Sequence, residues 1–281
     1  MFDIHSHILP GLDDGAADLS VSLEMARAYV DQGVTCVVCT PHILPGIYHN
    51  TGPAIREAVA ALSERLGEAD LSLRLVAGAD NHMVTDFIPG LQSGKLLSIA
   101  DTPYVLVEPP HHVAPTRMED LFFNLSVSGY VPILTHPERL SWIEDKYDMI
   151  QNLAHHGVWM QITGGSLLGR FGSRPRYWAD RMMSEGLVHV VASDAHNMAK
   201  RPPDCARAFD LVSRQIGAQE AQHLFVTRPA GIVSGCQPHD MPAPQRWNLD
   251  EHIRDQDDAP VADRTDASLG FAGRLRRFFA R

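Results

Sequence analysis

Short apolar runs alternate along the chain with longer segments of helical period, up to about residue 225. The runs are rich in Val, Ile, Leu and Cys, which is typical of buried strands. We predict seven strands, at residues 2–5, 34–39, 73–77, 104–108, 131–136, 158–162 and 188–194. Helices are predicted around residues 18–33, 53–66, 116–128, 145–156, 175–185, 203–215 and 218–225. This alternation predicts an α/β fold with a parallel sheet.

Residues capable of chemistry stand where these strands end. Six of the seven strands finish at a histidine, aspartate or glutamate, and the remaining one carries Gln161. A barrel builds its active site from the carboxyl ends of successive parallel strands, whereas an open doubly wound sheet concentrates function at one switch point. The distribution over all strands therefore predicts a distorted (β/α)7 barrel, with a metal site at the C-terminal ends of the strands.

Nine side chains at these ends are candidate metal ligands, because neutral imidazole and carboxylate are common donors to divalent ions. They are His5, His7, Asp14, His42, Asp80, Glu108, His136, Asp194 and His196. Nine donors exceed the four to six positions around one ion, so we predict two or three divalent ions, bridged by Glu108 or Asp194. Because the set contains no thiolate, Mn, Fe, Zn and Mg all remain candidates.

Two arginines follow candidate ligands closely in the sequence, Arg139 after His136 and Arg201 after His196. The planar guanidinium group binds phosphate oxygens in pairs, so we predict that both arginines hold a substrate phosphate. The alternative for each is a surface salt bridge. We assign the histidines without a placement argument to structural or rim positions, namely His49, His82, His111, His112 and His189.

Composition and charge narrow the class of protein further. The net charge of −10 over 281 residues argues against nucleic-acid binding. The four scattered cysteines suggest no disulfide framework, and the start of the chain has no basic n-region, so we expect a cytoplasmic protein. None of the cysteines is followed six positions later by arginine, which excludes the loop of a cysteine-dependent phosphatase.

Two regions are predicted from the change in pattern near residue 235. Residues 1–235 form the catalytic domain, and residues 236–281 form a linker and a C-terminal tail that we expect to be disordered. The end of the tail, residues 269–281, is basic and amphipathic. It could make peripheral contact with an anionic membrane or with an acidic partner, and the alternative is a frayed end.

Several motifs together resemble the polymerase-and-histidinol-phosphatase (PHP) superfamily, and within it the bacterial tyrosine phosphatases of the CpsB/YwqE type from capsule and exopolysaccharide loci. These motifs are Asp3-Ile-His-Ser-His-Ile-Leu-Pro-Gly-Leu-Asp-Asp-Gly-Ala16, Thr40-Pro-His42, His136-Pro-Glu-Arg139, Gly165-Ser-Leu-Leu-Gly-Arg-Phe-Gly172, Ser193-Asp-Ala-His-Asn197 and Arg201-Pro-Pro203. The resemblance implies a distorted barrel and a metal cluster, usually with Mn. It places the family's ligands on the nine residues above and its phosphate-binding arginines on Arg139 and Arg201. Asp80 stands where the family usually has glutamate.

The resemblance implies a metal-dependent protein-tyrosine phosphatase that uses a metal-activated hydroxide and regulates capsule or exopolysaccharide synthesis. Its expected partner is a phosphotyrosine protein, the tyrosine-rich tail of a bacterial autokinase. The phenolate leaving group has a pKa near 10 and needs little proton assistance, so we assign no general acid. The alternatives are another PHP phosphoesterase, such as a histidinol-phosphate phosphatase, and a non-catalytic adaptor of polysaccharide assembly.

Overall fold

Nine short strands build the barrel within residues 1–246, the part of the chain that this computed structural model describes. They are β1 (Phe2–Ser6), β2 (Cys36–Cys39), β3 (His42–Ile43), β4 (Arg74–Ala77), β5 (Asp80–His82), β6 (Tyr104–Glu108), β7 (Val131–Thr135), β8 (Trp159–Thr163) and β9 (Val190–Ala192). Neighbouring strands of each sheet run parallel. The predicted α/β class is therefore confirmed.

The strands follow one another around the barrel in chain order. One sheet has the order β1-β2-β4 and the other has the order β3-β5-β6-β7-β8-β9. β2 and β3 lie in succession, and between them is Pro41, whose nitrogen cannot donate to a ladder. β4 and β5 also lie in succession, with Gly78 and Ala79 between them. The ring closes where Asp194 N donates to His5 O at 2.9 Å and His7 N donates to Ala195 O at 2.9 Å. The predicted distorted seven-stranded barrel is confirmed, with two of its strands interrupted.

Helices connect the strands. They are α1 (Leu19–Asp31), α2 (Gly52–Glu68), α3 (Phe87–Gln92), α4 (Met118–Val127), α5 (Tyr147–His155), α6 (Gly164–Leu167), α7 (Ser173–Ser184), α8 (Cys205–Ile216), α9 (Ala218–Gln222) and α10 (Arg228–Ser234). Short turns of other helical types occupy Ile99–Asp101, Pro137–Arg139, His223–Thr227 and Pro238–Asp240. Asp18 caps α1, because its carboxylate accepts a hydrogen bond from Val21 N at 3.0 Å.

Alternation along the strands separates two hydrophobic layers. In β6, Val105 and Val107 pack with the helices, whereas Tyr104 and Leu106 belong to the interior cluster of the barrel. Each fully buried aliphatic side chain contributes about 1.5–3 kcal/mol relative to an exposed one. Ile232, from α10, joins the interior cluster. The barrel is thus filled with apolar side chains below its polar strand ends.

Residues that follow α10 return to the barrel. Tyr104 Oη donates a hydrogen bond to Cys236 O at 2.8 Å, and Arg228 Nε donates one to Pro242 O at 2.7 Å. These contacts fall within the predicted linker, and the division of the chain at residue 235 stays a prediction.

The basic segment 269–281 lies outside the described residues, together with its predicted disorder and membrane contact. Among residues 1–246, the structure contains no helix that is both long and apolar enough to cross a membrane.

Candidate metal centre

Polar side chains of the site continue the inward-facing rows of apolar side chains in the barrel strands. In β6 the inward residues Tyr104 and Leu106 are followed by Glu108, and Asp194 lies two residues beyond Ala192, the inward residue that ends β9. Because every second residue of a strand shares one face, the side chain that follows the inward apolar residues lies above the apolar core, where it can bind a metal ion. Asp80, at the start of β5, lies on this face too and is fully buried.

Three strands reach the site through irregular backbone. The pairing register of β1 with β2 shifts between Asp3 and Ser6, and such an irregularity re-aims the side chains that follow it. His136, directly after β7, has a left-handed φ of 32°, and Asp194 has a φ of 50°. Left-handed conformations are strained for residues other than glycine and cluster at functional sites.

Four predicted ligands from β1, β5 and the end of β9 converge. His7 Nε2 lies 3.3 Å from His5 Nε2 and 3.3 Å from Asp194 Oδ1. His5 Nε2 lies 3.5 Å from both Asp80 Oδ2 and Asp194 Oδ1. Two donors that each bind one ion at about 2.1 Å are about 3.0–3.5 Å apart. The spacing therefore suits a shared cation.

A second group of predicted ligands surrounds Asp14, whose side chain is half exposed. Asp14 Oδ1 lies 3.5 Å from His42 Nε2 and 3.4 Å from His196 Nε2. The neighbouring Asp13 instead accepts from His7 Nδ1 at 2.6 Å and from His42 N at 2.9 Å. Asp13 therefore orients the imidazole of His7 from behind, as carboxylates behind metal-binding histidines commonly do.

A third group surrounds Glu108 and includes two histidines that the sequence analysis did not place. His136 Nε2 lies 3.7 Å and His111 Nε2 lies 3.2 Å from Glu108 Oε1. On the other oxygen, Oε2, His82 Nε2 lies at 2.5 Å and His42 Nδ1 at 3.3 Å. The assignment of His82 and His111 to structural or rim positions missed these contacts. For His82 a signal existed, because it stands two residues after Asp80.

The other unplaced histidines lie elsewhere. His49 and His112 are exposed. The ring of His189 stacks on Trp159 with centroids 4.8 Å apart, and burial lowers the pKa of His189 to about 3.

The donors fit divalent cations. Four buried side-chain atoms of this centre have no hydrogen-bond partner within residues 1–246. They are Asp80 Oδ1 and Oδ2, Glu108 Oε2 and His136 Nδ1. Burial by itself would raise the pKa of Asp80, but His5 and His42 outweigh burial and hold that pKa low. The carboxylates in turn raise the pKa of His42 to about 12, against the effect of burial. Buried anionic oxygens without partners are costly unless a cation compensates them.

Both predicted phosphate-binding arginines meet at the edge of this centre. Arg139, from the turn Pro137–Arg139, and Arg201 each pair with Asp194 Oδ2. The other oxygen of Asp194 faces His5 and His7, so this carboxylate joins the arginines to the histidine cluster. The guanidinium carbons of Arg139 and Arg201 lie 4.5 Å and 5.9 Å from the ring centroid of Phe171.

Behind the centre, the buried Asp3 stabilises the seam of the barrel, where β1 lies beside the end of β9. Asp3 Oδ1 accepts a hydrogen bond from Ser193 N at 3.0 Å, and Asp3 Oδ2 accepts from Tyr29 Oη at 2.8 Å. Gln161, the polar residue of β8, accepts from His5 Nδ1 at 2.9 Å if that nitrogen carries the proton. These contacts hold the imidazole of His5 and the seam in place.

The fold and this arrangement of donors define the class of parallel βα barrels with a multi-residue centre at the strand ends. The chain belongs to the family described as capsular polysaccharide synthesis, CpsB/CapC, whose model matches residues 1–234. It is 39% identical over 219 residues to the tyrosine-protein phosphatase YwqE of Bacillus subtilis (strain 168), over 78% of this chain and 86% of that protein. It is 34% identical over 202 residues to the putative tyrosine-protein phosphatase CapC of Staphylococcus aureus, over 72% and 79%.

Solved structures agree with this family. The fold matches a structure from work on YwqE from Bacillus subtilis and CpsB from Streptococcus pneumoniae, described as unique metal-dependent tyrosine phosphatases, with a TM-score of 0.82 and 36% identity. The match covers 88% of this chain and 100% of that one. A lactonase from Listeria monocytogenes, 14% identical with a TM-score of 0.52, shares the fold alone.

Proposed function

We propose that this chain is a metal-dependent protein-tyrosine phosphatase that acts in the control of capsule or exopolysaccharide synthesis. The observation that carries the proposal is the shared carboxylate of Asp194, which sets two arginines against a cluster of histidines and carboxylates. Membership in the CpsB/CapC family and similarity to YwqE support the same activity.

In this proposal the nine predicted ligands would hold two or three divalent ions, with Mn as the proposed metal. His5, His7, Asp80 and Asp194 form one group of donors; Asp14, His42 and His196 form another; and Glu108 and His136 belong to a third. Bound divalent ions supply a water of lowered pKa and neutralise charge on a phosphoryl group.

The protein's own residues bind and orient the phosphate. Arg139 and Arg201 present planar, permanently charged donors on the same side of Asp194, which suits two equatorial phosphate oxygens. Asp194 fixes their direction, and the ring of Phe171 supports both. Because the phenolate of tyrosine leaves with a pKa near 10, the proposal needs no general acid from this chain.

The proposed substrate is a phosphotyrosine protein in the cytoplasm, the tail of a bacterial tyrosine autokinase. Such a tail could reach the open rim beside Asp14 and Phe171, which are both partly exposed. Peripheral membrane contact through segment 269–281 would bring the phosphatase close to a membrane-associated kinase, and it remains a proposal.

The test compares phosphotyrosine peptide and histidinol phosphate as substrates of one preparation, before and after exhaustive treatment with EDTA. We expect turnover of the peptide that EDTA abolishes, that added Mn²⁺ restores, and that thiol alkylation leaves unchanged. Turnover that survives chelation would refute the metal-dependent mechanism. Preference for histidinol phosphate would support the other PHP chemistry, and no turnover of either compound under full metal loading would support the non-catalytic adaptor.

A further inference from the structure

His82 lies in the candidate metal centre although no motif assigned it there. It is the last residue of β5, and its register partner on β6 is Glu108. Partners on adjacent parallel strands project their side chains on the same face of the sheet. Met83 N donates to Glu108 O at 3.0 Å, directly beyond this pair. The backbone of two paired strands therefore holds His82 against Glu108.

The side chains of His82 and Glu108 are in close contact, but the geometry of this contact is not that of a hydrogen bond. Their facing atoms, His82 Nε2 and Glu108 Oε2, lie 2.5 Å apart. This distance is shorter than the range of about 2.7–3.2 Å that is usual for N–H···O hydrogen bonds. Yet Oε2 has no hydrogen bond of acceptable geometry to any residue in 1–246. His82 Nε2 also lies 3.3 Å from His42 Nδ1. The nitrogens of His42 and His82 thus converge on a buried carboxylate oxygen that no hydrogen bond satisfies.

The burial of the group favours a bound ion over chance proximity. Glu108 is 4% exposed, so its unpartnered oxygen is shielded from water that could otherwise satisfy it. The side chain of His82 is 16% exposed, at the mouth of the site. Donor atoms of His42, His82 and Glu108 all lie within 4.8 Å of one another.

We infer that His82 is a further metal ligand, which binds the same divalent ion as Glu108 through Nε2. This inference rests on the proposed metal-dependent function and adds an imidazole to the nine predicted ligands. His82 shares one face of β5 with Asp80, so a single strand supplies two ligands two residues apart, the same spacing as His5 in β1 and His7 directly after it.

The test counts the imidazoles bound to Co²⁺ in full-length protein loaded with this ion. In proton NMR spectra recorded in water, each imidazole bound directly to paramagnetic Co²⁺ gives one strongly shifted, exchangeable N–H signal. We expect His82→Ala to remove one such signal. Loss of an outer partner alone typically weakens metal binding by about 10- to 100-fold, so loss of this ligand should weaken one ion by about 100-fold or more in chelator competition.

The matched control is His112→Ala, which removes an exposed histidine that lies outside the centre and should change neither readout. An unchanged number of shifted signals in His82→Ala would overturn the inference, even if the affinity for Co²⁺ fell. If His82→Ala fails to fold, His82→Gln gives the same count with a side chain of similar length.

The same Co²⁺ preparation separates this inference from the proposed function. If His82→Ala loses a signal and the wild type does not turn over phosphotyrosine peptide, His82 is supported as a ligand and the phosphatase is refuted. If the wild type turns over the peptide and His82→Ala loses no signal, the phosphatase is supported and His82 as a ligand is refuted.

Discussion

The ring of Phe171 offers a direct test of how the two arginines are held. Both guanidinium groups lie against this ring, Arg139 at 4.5 Å and Arg201 at 5.9 Å from its centroid. A cation–π contact at a partly exposed site contributes about 0.5–1 kcal/mol, so the two contacts together contribute about 1–2 kcal/mol. Phe171→Leu keeps an apolar side chain but removes the aromatic quadrupole.

We expect Phe171→Leu to lower kcat/KM for phosphotyrosine peptide by about 5- to 30-fold, the equivalent of that free energy. The assay is steady-state hydrolysis under full metal loading, with metal affinity measured in parallel and expected to stay unchanged. The control is Phe123→Leu, which changes an exposed phenyl ring on α4. A kcat/KM for Phe171→Leu equal to that of the control would refute the reasoning that the ring positions the arginines.

Three further predictions concern residues around and away from the centre. Asp13→Asn should weaken metal binding by about 10- to 100-fold in chelator competition, because it removes the carboxylate that accepts from His7 Nδ1. Burial raises the pKa of Asp180 to about 6 from 3.8, so the folded state holds this proton more tightly and stability falls as pH rises through that window. In the wild type, the free energy of unfolding should therefore fall by about 3 kcal/mol between pH 4 and pH 7 because of Asp180, and Asp180→Asn should abolish this decrease, as measured by urea unfolding. Arg228→Met should cost about 3–5 kcal/mol in the same assay, because it leaves Glu220 buried without the partner that lies 2.8 Å away.

Each of these predictions has a matched comparison. Asp31→Asn, at an exposed position of α1, should leave metal affinity unchanged, and an equal effect of both aspartate variants would contradict the role of Asp13. Parallel stability profiles of wild type and Asp180→Asn across the pH range would disprove the titration of Asp180. The double variant with Arg228→Met and Glu220→Gln should recover much of the lost stability, and no recovery would mean that burial of the lone charge is not the cause.

Strand period and strand ends were sufficient to predict the barrel and to predict which side chains meet at its strand ends. Glu108 follows two inward residues of an uninterrupted strand, so alternation alone predicts its direction. His82 escaped prediction because the apolar run was taken to end at Ala77, so its spacing of two residues from Asp80 was not interpreted as a second strand, which the structure shows as β5. His111 lies in a loop, where side-chain direction depends on tertiary contacts and not on period.

The helices show the same division between local and tertiary causes. α1 has a capping aspartate and a regular apolar stripe, and both signals are local. α10 was not predicted, because it has only seven residues and Gly231 in its interior weakens its intrinsic helix propensity. It forms because Ile232 and Val233 are buried in the interior cluster of the barrel.

The seam between the first and last strands has a consequence for how the protein acquires activity. Asp3 and Ser193 are hydrogen-bonded across a separation of 190 residues, and closing a loop of that length costs about 5 kcal/mol beyond a constant. His5 and His7 meet Asp194 only across this seam. During synthesis, almost the whole barrel is therefore made before Asp194 can join the first histidines. A chain truncated before residue 194 contains most of the strands and lacks the carboxylate on which both the histidines and the arginines converge.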